Sequence, residues 1–384
     1  MNSPAPTPHD ELERLGIDRR AWFRATSFIE DLCRRDVIPA VGWIVGRGGE
    51  ISSPHVCGRS RIAGNSDPIA PDAIFLIASI TKPVVGTAVL QLVERGEILL
   101  GDKVTKYIPE FGKNGKYGVT VRHLLTHTSG LPDMLPNNRE LREQQQPMSK
   151  FVEEICGVNP DFPPGRGVQY QSTGFGILGE IILRVTGRPC PDYLRDEIFQ
   201  PLGMNDTALG APPEWFAGPS PKVDRIAELR IPEEQQGTNW HWNTKYWRML
   251  GAPWGGLLTT LADVARFAEM LRRGGELNGT RILSTQMLAA ATMNQLTGFP
   301  DLKESDRRGR AWGYGWRLHW PGYSPNFGDL LSPYSYGHWG ATGTVLWVDP
   351  AINGFAVVFT TQPQEPHGRE LALMSNLLAA AWIS

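Results

Sequence analysis

Apolar residues recur at intervals of three and four along much of the chain. This spacing places them on one face of a helix, which can then be buried against a core. The pattern predicts helices over residues 20–35, 83–94, 147–157, 174–185, 260–273 and 370–382. A shorter helix is expected to begin at Thr120 and to stop before Gly130, because threonine caps helices and glycine ends them.

Runs rich in β-branched and aromatic residues predict the strands. They cover residues 37–45, a return strand from Ile51, and residues 313–318, 336–348 and 354–360. Pro39 has no backbone N–H, so we predict an edge position for the first strand. Strands at both ends and helices in the middle predict an α+β fold, with one sheet assembled from both chain ends.

This order of elements predicts three parts of the chain. Residues 1–20 are expected to form an N-terminal tail. Residues 21–105 and 255–384 are expected to form a discontinuous α/β domain, and residues 106–254 a mostly helical domain. Residues 205–254 are irregular and rich in aromatic side chains, and long loops of this kind are usually functional. Two interpretations stay open for this aromatic-rich region: a wall of a binding pocket, or a satellite core that holds a long loop.

Composition and charge narrow the range of partners. The 384 residues include 41% hydrophobic and 20% charged residues, with a formal net charge of −2, which gives no reason to expect nucleic acid or an anionic membrane. No apolar run is long enough to span a membrane, and the N-terminus lacks the apolar core of a signal peptide. We therefore expect a soluble, cytoplasmic protein, whose four scattered cysteines are free thiols.

Two motifs are set aside. His123 and His127 have the spacing of zinc ligands, but the glutamate of an H-E-x-x-H motif is absent, so local hydrogen bonds are the preferred explanation. Residues 174–179 match G-x-G-x-x-G, but the residues before them are too polar for a core strand, and close helix packing is favoured. Neither a metal nor an organic cofactor is implied.

A serine and a lysine three residues apart carry the candidate chemistry. Ser79 follows an apolar run and precedes a predicted helix, so its hydroxyl and the amine of Lys82 can face the same cavity. A serine nucleophile needs a neighbour that takes its proton, and a desolvated lysine can do so. The alternative from this pattern alone is a capping serine followed by a solvated lysine.

Two further motifs favour the catalytic interpretation of Ser79 over the capping one. They are residues 170–172 (Tyr-Gln-Ser) and residues 338–340 (His-Trp-Gly). With the S-x-x-K motif at residues 79–82, they give a chain that resembles the serine β-lactamase and penicillin-binding-protein superfamily. The closest resemblance is to the class C β-lactamase-like group, which includes the family VIII carboxylesterases. It runs from about residue 35 to the C-terminus, and it implies a β-lactamase/transpeptidase-like fold with an antiparallel sheet flanked by helices.

The resemblance also implies a role for each matching residue. Ser79 is expected to be the nucleophile that forms an acyl-enzyme. Tyr170 is expected to take the serine proton and pass it to the leaving group, while Lys82 keeps Tyr170 ionised or shares the role of base. The backbone N–H groups of Ser79 and Ala341 are expected to form an oxyanion hole. His338 stands where penicillin-recognising members carry lysine, and it is expected to hydrogen-bond Tyr170 or the substrate.

Departures from the family pattern favour an ester as substrate. Ser172 replaces an asparagine and His338 replaces a lysine, which removes groups that bind the amide and carboxylate of a β-lactam. Ser172, Gly340, Trp240 and Trp254 are candidate substrate-binding residues. We expect a carboxylesterase acting on a small ester or amide. The alternatives are a β-lactamase, a D-amino-acid amidase or peptidase, an acyltransferase, or a catalytically silent binding homologue. The oligomeric state is not predicted.

Overall fold

A computed structural model describes residues 8–63, 66–319, 325–363 and 368–382. Its helices are α1 (Pro8–Arg14), α2 (Arg19–Arg34), α3 (Thr81–Glu94), α4 (Val121–Leu125), α5 (Asn138–Glu143), α6 (Met148–Gly157), α7 (Thr173–Thr186), α8 (Cys190–Leu194), α9 (Glu214–Ala217), α10 (Lys245–Leu250), α11 (Leu261–Arg272), α12 (Thr285–Ala291), α13 (Glu304–Gly309) and α14 (Arg369–Ala379). Its strands are β1 (Ala40–Arg47), β2 (Glu50–Ile51), β3 (His55–Gly58), β4 (Phe75–Leu76), β5 (Ala208–Leu209), β6 (Leu257–Thr259), β7 (Glu276–Leu277), β8 (Thr280–Arg281), β9 (Arg317–Leu318), β10 (Tyr336–Gly340), β11 (Thr344–Asp349) and β12 (Gly354–Thr360).

The main sheet joins the two ends of the chain, as predicted. Its order in the described residues is β2-β1-β12-β11-β10-β9, with β3 also beside β1, and all of its pairs are antiparallel. Helices α2 and α14 pack on one face, and α11 packs on the other. The fold is therefore α+β, and the helices predicted over residues 20–35, 83–94, 147–157, 174–185, 260–273 and 370–382 are present within a few residues.

The edge position predicted for the first strand is wrong. Strand β1 pairs with β12 on one side and with β2 and β3 on the other. It begins at Ala40, so Pro39 lies just outside the ladder and its missing N–H removes no pairing hydrogen bond. The Pro39 carbonyl instead accepts a hydrogen bond from the amide of Arg59 (3.0 Å).

Two other predicted strands are shorter than their apolar patterns suggest. Residues 336–348 form the hairpin of β10 and β11, because Gly343 turns the chain with φ +85°. Residues 313–318 form a strand only at Arg317–Leu318, because Gly315 has φ +79° and its amide donates to the Leu125 carbonyl (2.9 Å). Glycine conformation therefore interrupts both runs.

Much of the predicted N-terminal tail is folded. Helix α1 is followed by Leu15 and Ile17, which are buried in the layer between the sheet and helices α2 and α14. The amide of Asp18 donates to the Ala381 carbonyl (2.7 Å), which ties this segment to the C-terminal end. The tail prediction is wrong for these residues because their apolar side chains find a buried site only in the assembled fold. Residues 1–7 lie outside the described residues.

The helices between the sheet strands pack around α3 and α7. A Cβ atom added at Gly179 would lie 2.6 Å from Pro253, and one at Gly176 would lie 3.0 Å from Ile155. These contacts support close packing as the role of the glycine motif in α7. None of the described helices is both long and apolar enough to cross a lipid bilayer. All four cysteines are free, as predicted.

The aromatic-rich region 205–254 contains short elements rather than one irregular loop. Strand β5 pairs with β6, and helices α9 and α10 lie between these two strands in sequence. Trp215 and Trp247 join Ile74, Leu258 and Ile226 in a separate apolar cluster. The satellite-core interpretation therefore holds for part of this region.

Candidate active site

Ser79 is held at a sharp turn between a strand and a helix. Strand β4 pairs with β6, and residues Ala78–Ile80 then form a single 3-10 turn before α3 begins at Thr81. Ala78 has φ +45°, a strained conformation for a residue with a side chain, and such strain is concentrated at functional sites. The Thr81 hydroxyl donates to the Ala78 carbonyl (2.6 Å) and accepts from the Leu257 amide (3.0 Å), which fixes the turn.

Lys82 lies one turn into this element and contacts Ser79 directly. Its Nζ atom is 3.0 Å from the Ser79 Oγ atom and 2.8 Å from the Trp254 carbonyl oxygen. Burial lowers the pKa of Lys82 to about 7, although the charge of Asp133 opposes the shift. A substantial fraction of Lys82 is therefore neutral near neutral pH. The amine donates to both the Trp254 carbonyl and the Ser79 hydroxyl oxygen, so it lies within direct reach of the serine.

Tyr170 completes the group around Ser79. Its ring centre lies 4.7 Å from the Lys82 Nζ atom, and the ring packs beside His127 and Trp312. Burial raises the pKa of Tyr170 well above its ordinary value, and a hydrogen bond with the Ser79 hydroxyl only partly opposes the rise. Tyr170 therefore remains a phenol at neutral pH, which favours the shared-base interpretation over a permanently ionised tyrosine.

The segment from His123 to Asp133 forms hydrogen bonds with the backbone of the Tyr170 motif (residues 170–172). The amide of Gln171 donates to the His127 Nδ1 atom (3.0 Å), and the amide of Ser172 donates to the Asp133 carboxylate (2.8 Å). His123 Nδ1 accepts from the Thr120 amide (3.0 Å) in the cap of α4. Local hydrogen bonds thus explain both histidines, as predicted.

His338 is buried on β10 and lines the same cavity as Ser79. Burial and the positive charges of Lys82 and Arg317 lower the pKa of His338 well below its ordinary value, so the imidazole is neutral. Its Nδ1 atom lies 2.7 Å from the Trp339 carbonyl oxygen, which only an N–H can satisfy. Nε2 is then an acceptor, and it has no hydrogen-bond partner in the described part of the chain. The hydrogen bond expected between His338 and Tyr170 is not formed; their ring centres are 6.0 Å apart.

Ala341 lies at the turn between β10 and β11, beside the segment that leads to Ser79. The hydroxyls of Thr342 and Thr344 donate to the Leu76 and Ile77 carbonyls (2.7 and 2.9 Å). These bonds fasten the hairpin to the turn that carries Ser79. The motif glycine before Ala341 permits this approach, because a Cβ atom added there would lie 2.4 Å from the Ile77 carbonyl oxygen.

These residues surround a cavity of about 930 Å³. Ser79 is partly exposed in it, and the lining also includes Tyr170, Ser172, Trp254, His338 and Ala341. The fold therefore brings together candidate residues that are separated by more than half of the chain. Lys82 lies directly behind Ser79, fully buried.

Two candidate substrate-binding residues are not part of this lining. Trp240 is buried behind the side chain of Arg142, with its ring centre 5.7 Å from the guanidinium carbon. The motif glycine, Gly340, is packed against Ile77, so its role is the close approach of two backbones. The aromatic-rich region contributes Trp242 and Trp247 to the cavity instead, together with the predicted Trp254.

Sequence reasoning also missed two arginines that line the cavity. Arg142 lies on α5, and Arg317 lies on β9 with its guanidinium carbon 4.0 Å from the ring centre of Trp339. Arg317 immediately follows the Gly-Tyr-Gly-Trp motif at residues 313–316, which is the signal that could have identified it. Arg142 has no comparable signal, because its helix is short and charged.

Comparison with known proteins agrees with this geometry. A family model described as "Beta-lactamase" matches residues 25–381. Penicillin-binding protein 4 of Amycolatopsis lactamdurans is 32% identical over 303 residues, which cover 77% of this chain and 73% of that protein. Esterase EstB of Burkholderia gladioli is 32% identical over 316 residues, covering 75% of this chain and 77% of that protein.

A solved structure described as a family VIII carboxylesterase has the same fold. It superposes with a TM-score of 0.73 and is 23% identical, and the match covers 94% of this chain and 98% of that one. The fold is therefore that of proteins of the β-lactamase and penicillin-binding-protein type. The family match over most of the chain completes the assignment: this chain belongs to the β-lactamase family, as the motifs indicated.

Proposed function

We propose that this protein is a serine hydrolase that cleaves small acyl esters through an intermediate acylated on Ser79. One observation carries the proposal: the buried amine of Lys82 lies 3.0 Å from the Ser79 hydroxyl, at the surface of a cavity large enough for a small ester. An adjacent base is what a serine hydroxyl needs to become a nucleophile at neutral pH. The esterase relative from Burkholderia gladioli supports the reaction class.

In the proposed acylation step, the Ser79 oxygen attacks the ester carbonyl carbon and its proton passes to neutral Lys82. The tetrahedral intermediate places its negative oxygen against the backbone N–H groups of Ser79 and Ala341. Burial lowers the pKa of Lys82 to about 7, which matches this amine to proton transfer at neutral pH. The C–O bond to the alcohol then breaks, and the alcohol leaves as a neutral molecule after it receives the proton.

Tyr170 carries the proton between the lysine and the leaving group in this proposal. The phenol donates its proton to the departing alkoxide and recovers one from protonated Lys82. Its ring centre lies 4.7 Å from the Lys82 amine, and Tyr170 and Ser79 line the same cavity, which supports this route. In deacylation a water molecule attacks the acyl carbon, and Lys82 accepts its proton through Tyr170. The bond between the acyl carbon and the Ser79 oxygen then breaks, the proton returns from Lys82 to Ser79, and the carboxylic acid leaves.

Hydrolysis of an amide is the second candidate. The relative from Amycolatopsis lactamdurans is a penicillin-binding protein, and its identity to this chain equals that of the esterase. Ser172 and His338 favour the ester. Neutral His338 presents an acceptor at Nε2, whereas a lysine presents positively charged donors. The cavity therefore lacks at this position the cation that suits a β-lactam carboxylate.

The test is Ser79→Ala assayed with para-nitrophenyl butyrate and, in parallel, with nitrocefin. We expect the wild type to hydrolyse the ester in preference to the lactam, and the variant to lose ester hydrolysis while its circular dichroism spectrum is unchanged. Ser53→Ala, at an exposed serine, is the matched control and should keep full activity. Undiminished ester hydrolysis by Ser79→Ala would refute the proposal, and a preference for nitrocefin would favour the second candidate.

A further inference from the structure

Besides Arg317 on β9, the cavity is lined by a second cationic side chain. Arg142, on α5, is 6% exposed and lines the cavity. Its guanidinium carbon lies 4.4 Å from the ring centre of Trp247 and 5.7 Å from that of Trp240. Aromatic faces attract a guanidinium and hold its plane in place, so the two tryptophans fix the position of this side chain.

Nothing within the described residues neutralises this charge. The guanidinium of Arg142 forms no hydrogen bond or ion pair there, and its Nε atom is buried without a partner. Burial lowers the pKa of Arg142 to about 10, so the group is still positively charged at neutral pH. A buried charge without a counter-charge is costly, and stacking on two rings recovers only part of that cost.

Three acidic side chains line the cavity in the described part of the chain, and each is hydrogen-bonded or exposed to solvent. The carboxylate of Asp133 is exposed and accepts the amide of Ser172 (2.8 Å). Glu233 and Glu234 lie in a single 3-10 turn at the rim, and both are exposed. Charges in water are screened by salt, whereas the buried guanidinium is screened much less. An anion that enters the cavity therefore meets in Arg142 a cation that no acidic side chain of the described residues compensates.

We infer that Arg142 binds a carboxylate of the substrate, so the esters taken by this site carry a negatively charged group on their acyl or alcohol part. The inference rests on the proposed ester hydrolysis and specifies its substrate class. A guanidinium offers paired N–H donors that match a carboxylate in two parallel hydrogen bonds. Ser79 and Arg142 line the same cavity.

Two matched pairs of esters test the inference and locate the charge. For the acyl side, the pair is para-nitrophenyl hexanoate and the para-nitrophenyl monoester of adipic acid. For the alcohol side, the pair is para-acetoxybenzamide and para-acetoxybenzoate. We expect the wild type to prefer the charged member of one pair in kcat/KM. Arg142→Gln should reduce that preference about 10- to 100-fold, the range of a charge-assisted hydrogen bond, with most of the loss in KM.

Arg139→Gln is the matched control. Arg139 lies on the same helix, is exposed and pairs with Glu143 (2.7 Å) outside the cavity. It should leave the preference unchanged, which separates direct contact from long-range attraction. Arg142→Lys should retain part of the preference, because it keeps the charge but not the paired donors.

The neutral esters distinguish a failure of the inference about Arg142 from a failure of the proposed ester hydrolysis. Suppose that the wild type hydrolyses the neutral members through Ser79. The inference about Arg142 is then overturned if the charged members are not preferred, or if Arg142→Gln prefers them as strongly as the wild type does. Ester hydrolysis stands in either case. If no member of either pair is hydrolysed, the proposed function itself fails. Hydrolysis of the neutral members by Arg142→Gln also shows that the variant is folded.

Discussion

The Nζ atom of Lys82 lies between the Oγ atom of Ser79 and the carbonyl oxygen of Trp254, at 3.0 Å and 2.8 Å. The carbonyl orients the amine from a segment far away in sequence, and the surrounding apolar side chains remove it from water. In the proposed mechanism, desolvation lowers the pKa of the amine so that it can act as a base, and the contact with Ser79 places it beside the hydroxyl.

This arrangement predicts a single acidic limb in the pH profile. Lys82 is protonated below its pKa of about 7 and neutral above it, and only the neutral amine accepts a proton. We expect kcat/KM for para-nitrophenyl butyrate to rise with pH to a plateau, with its midpoint near 7. Lys82→Arg, which stays charged, should lower kcat/KM about 100-fold or more at the plateau. Lys106→Arg, at an exposed lysine, is the control, and a flat wild-type profile would contradict the assignment.

His338 is a competing explanation for the same limb, and the structure distinguishes the two. Burial and neighbouring cations lower the pKa of His338 well below its ordinary value, so the residue is already neutral where the limb is expected. We expect His338→Gln to leave the midpoint near that of the wild type, because Lys82 still titrates. Kinetics across the acidic and neutral range would decide the matter: loss of the limb in His338→Gln would assign it to the histidine.

Tyr170→Phe tests the proton relay. The substitution keeps the ring that packs on His127 and Trp312 but removes the hydroxyl. We expect kcat to fall about 100-fold or more, as for the loss of a general acid–base group, with little change in thermal unfolding. Tyr334→Phe, at an exposed tyrosine, should have no effect. A near-normal rate for Tyr170→Phe would mean that protons reach the leaving group by another route.

Thr81 tests the turn that presents the serine. Its buried hydroxyl bonds the Ala78 carbonyl and the Leu257 amide, and valine would leave the amide without a partner. We expect Thr81→Val to lower the free energy of unfolding in urea by about 1–3 kcal/mol. Thr87→Val, on the same helix, should cost less, because the Thr87 hydroxyl only donates to the Pro83 carbonyl. Equal losses in the two variants would show that the turn is not specially dependent on Thr81.

The longer helices were predictable because their signals are local. In α11, Thr260 caps the amide of Asp263, as its position before an apolar repeat indicated, and α7 ends at Gly187 in the left-handed conformation. Strand limits were less predictable. The apolar run over residues 336–348 contains a hairpin that the pattern does not reveal. Its turn depends on the conformation of one glycine and on hydrogen bonds to another segment. Apolar pattern alone does not distinguish one strand from two.

The amino-acid sequence by itself determined the longer helices, the contribution of both chain ends to one sheet, and the three motifs that indicate the family. Only the tertiary structure decided which side chains meet. It buried Lys82 against Ser79, kept Tyr170 a phenol, and moved Trp240 out of the cavity lining while it brought Arg142 in. The physical reason is that periodicity and capping depend on neighbours in the chain, whereas desolvation, pKa and the shape of a cavity depend on groups that become neighbours only on folding.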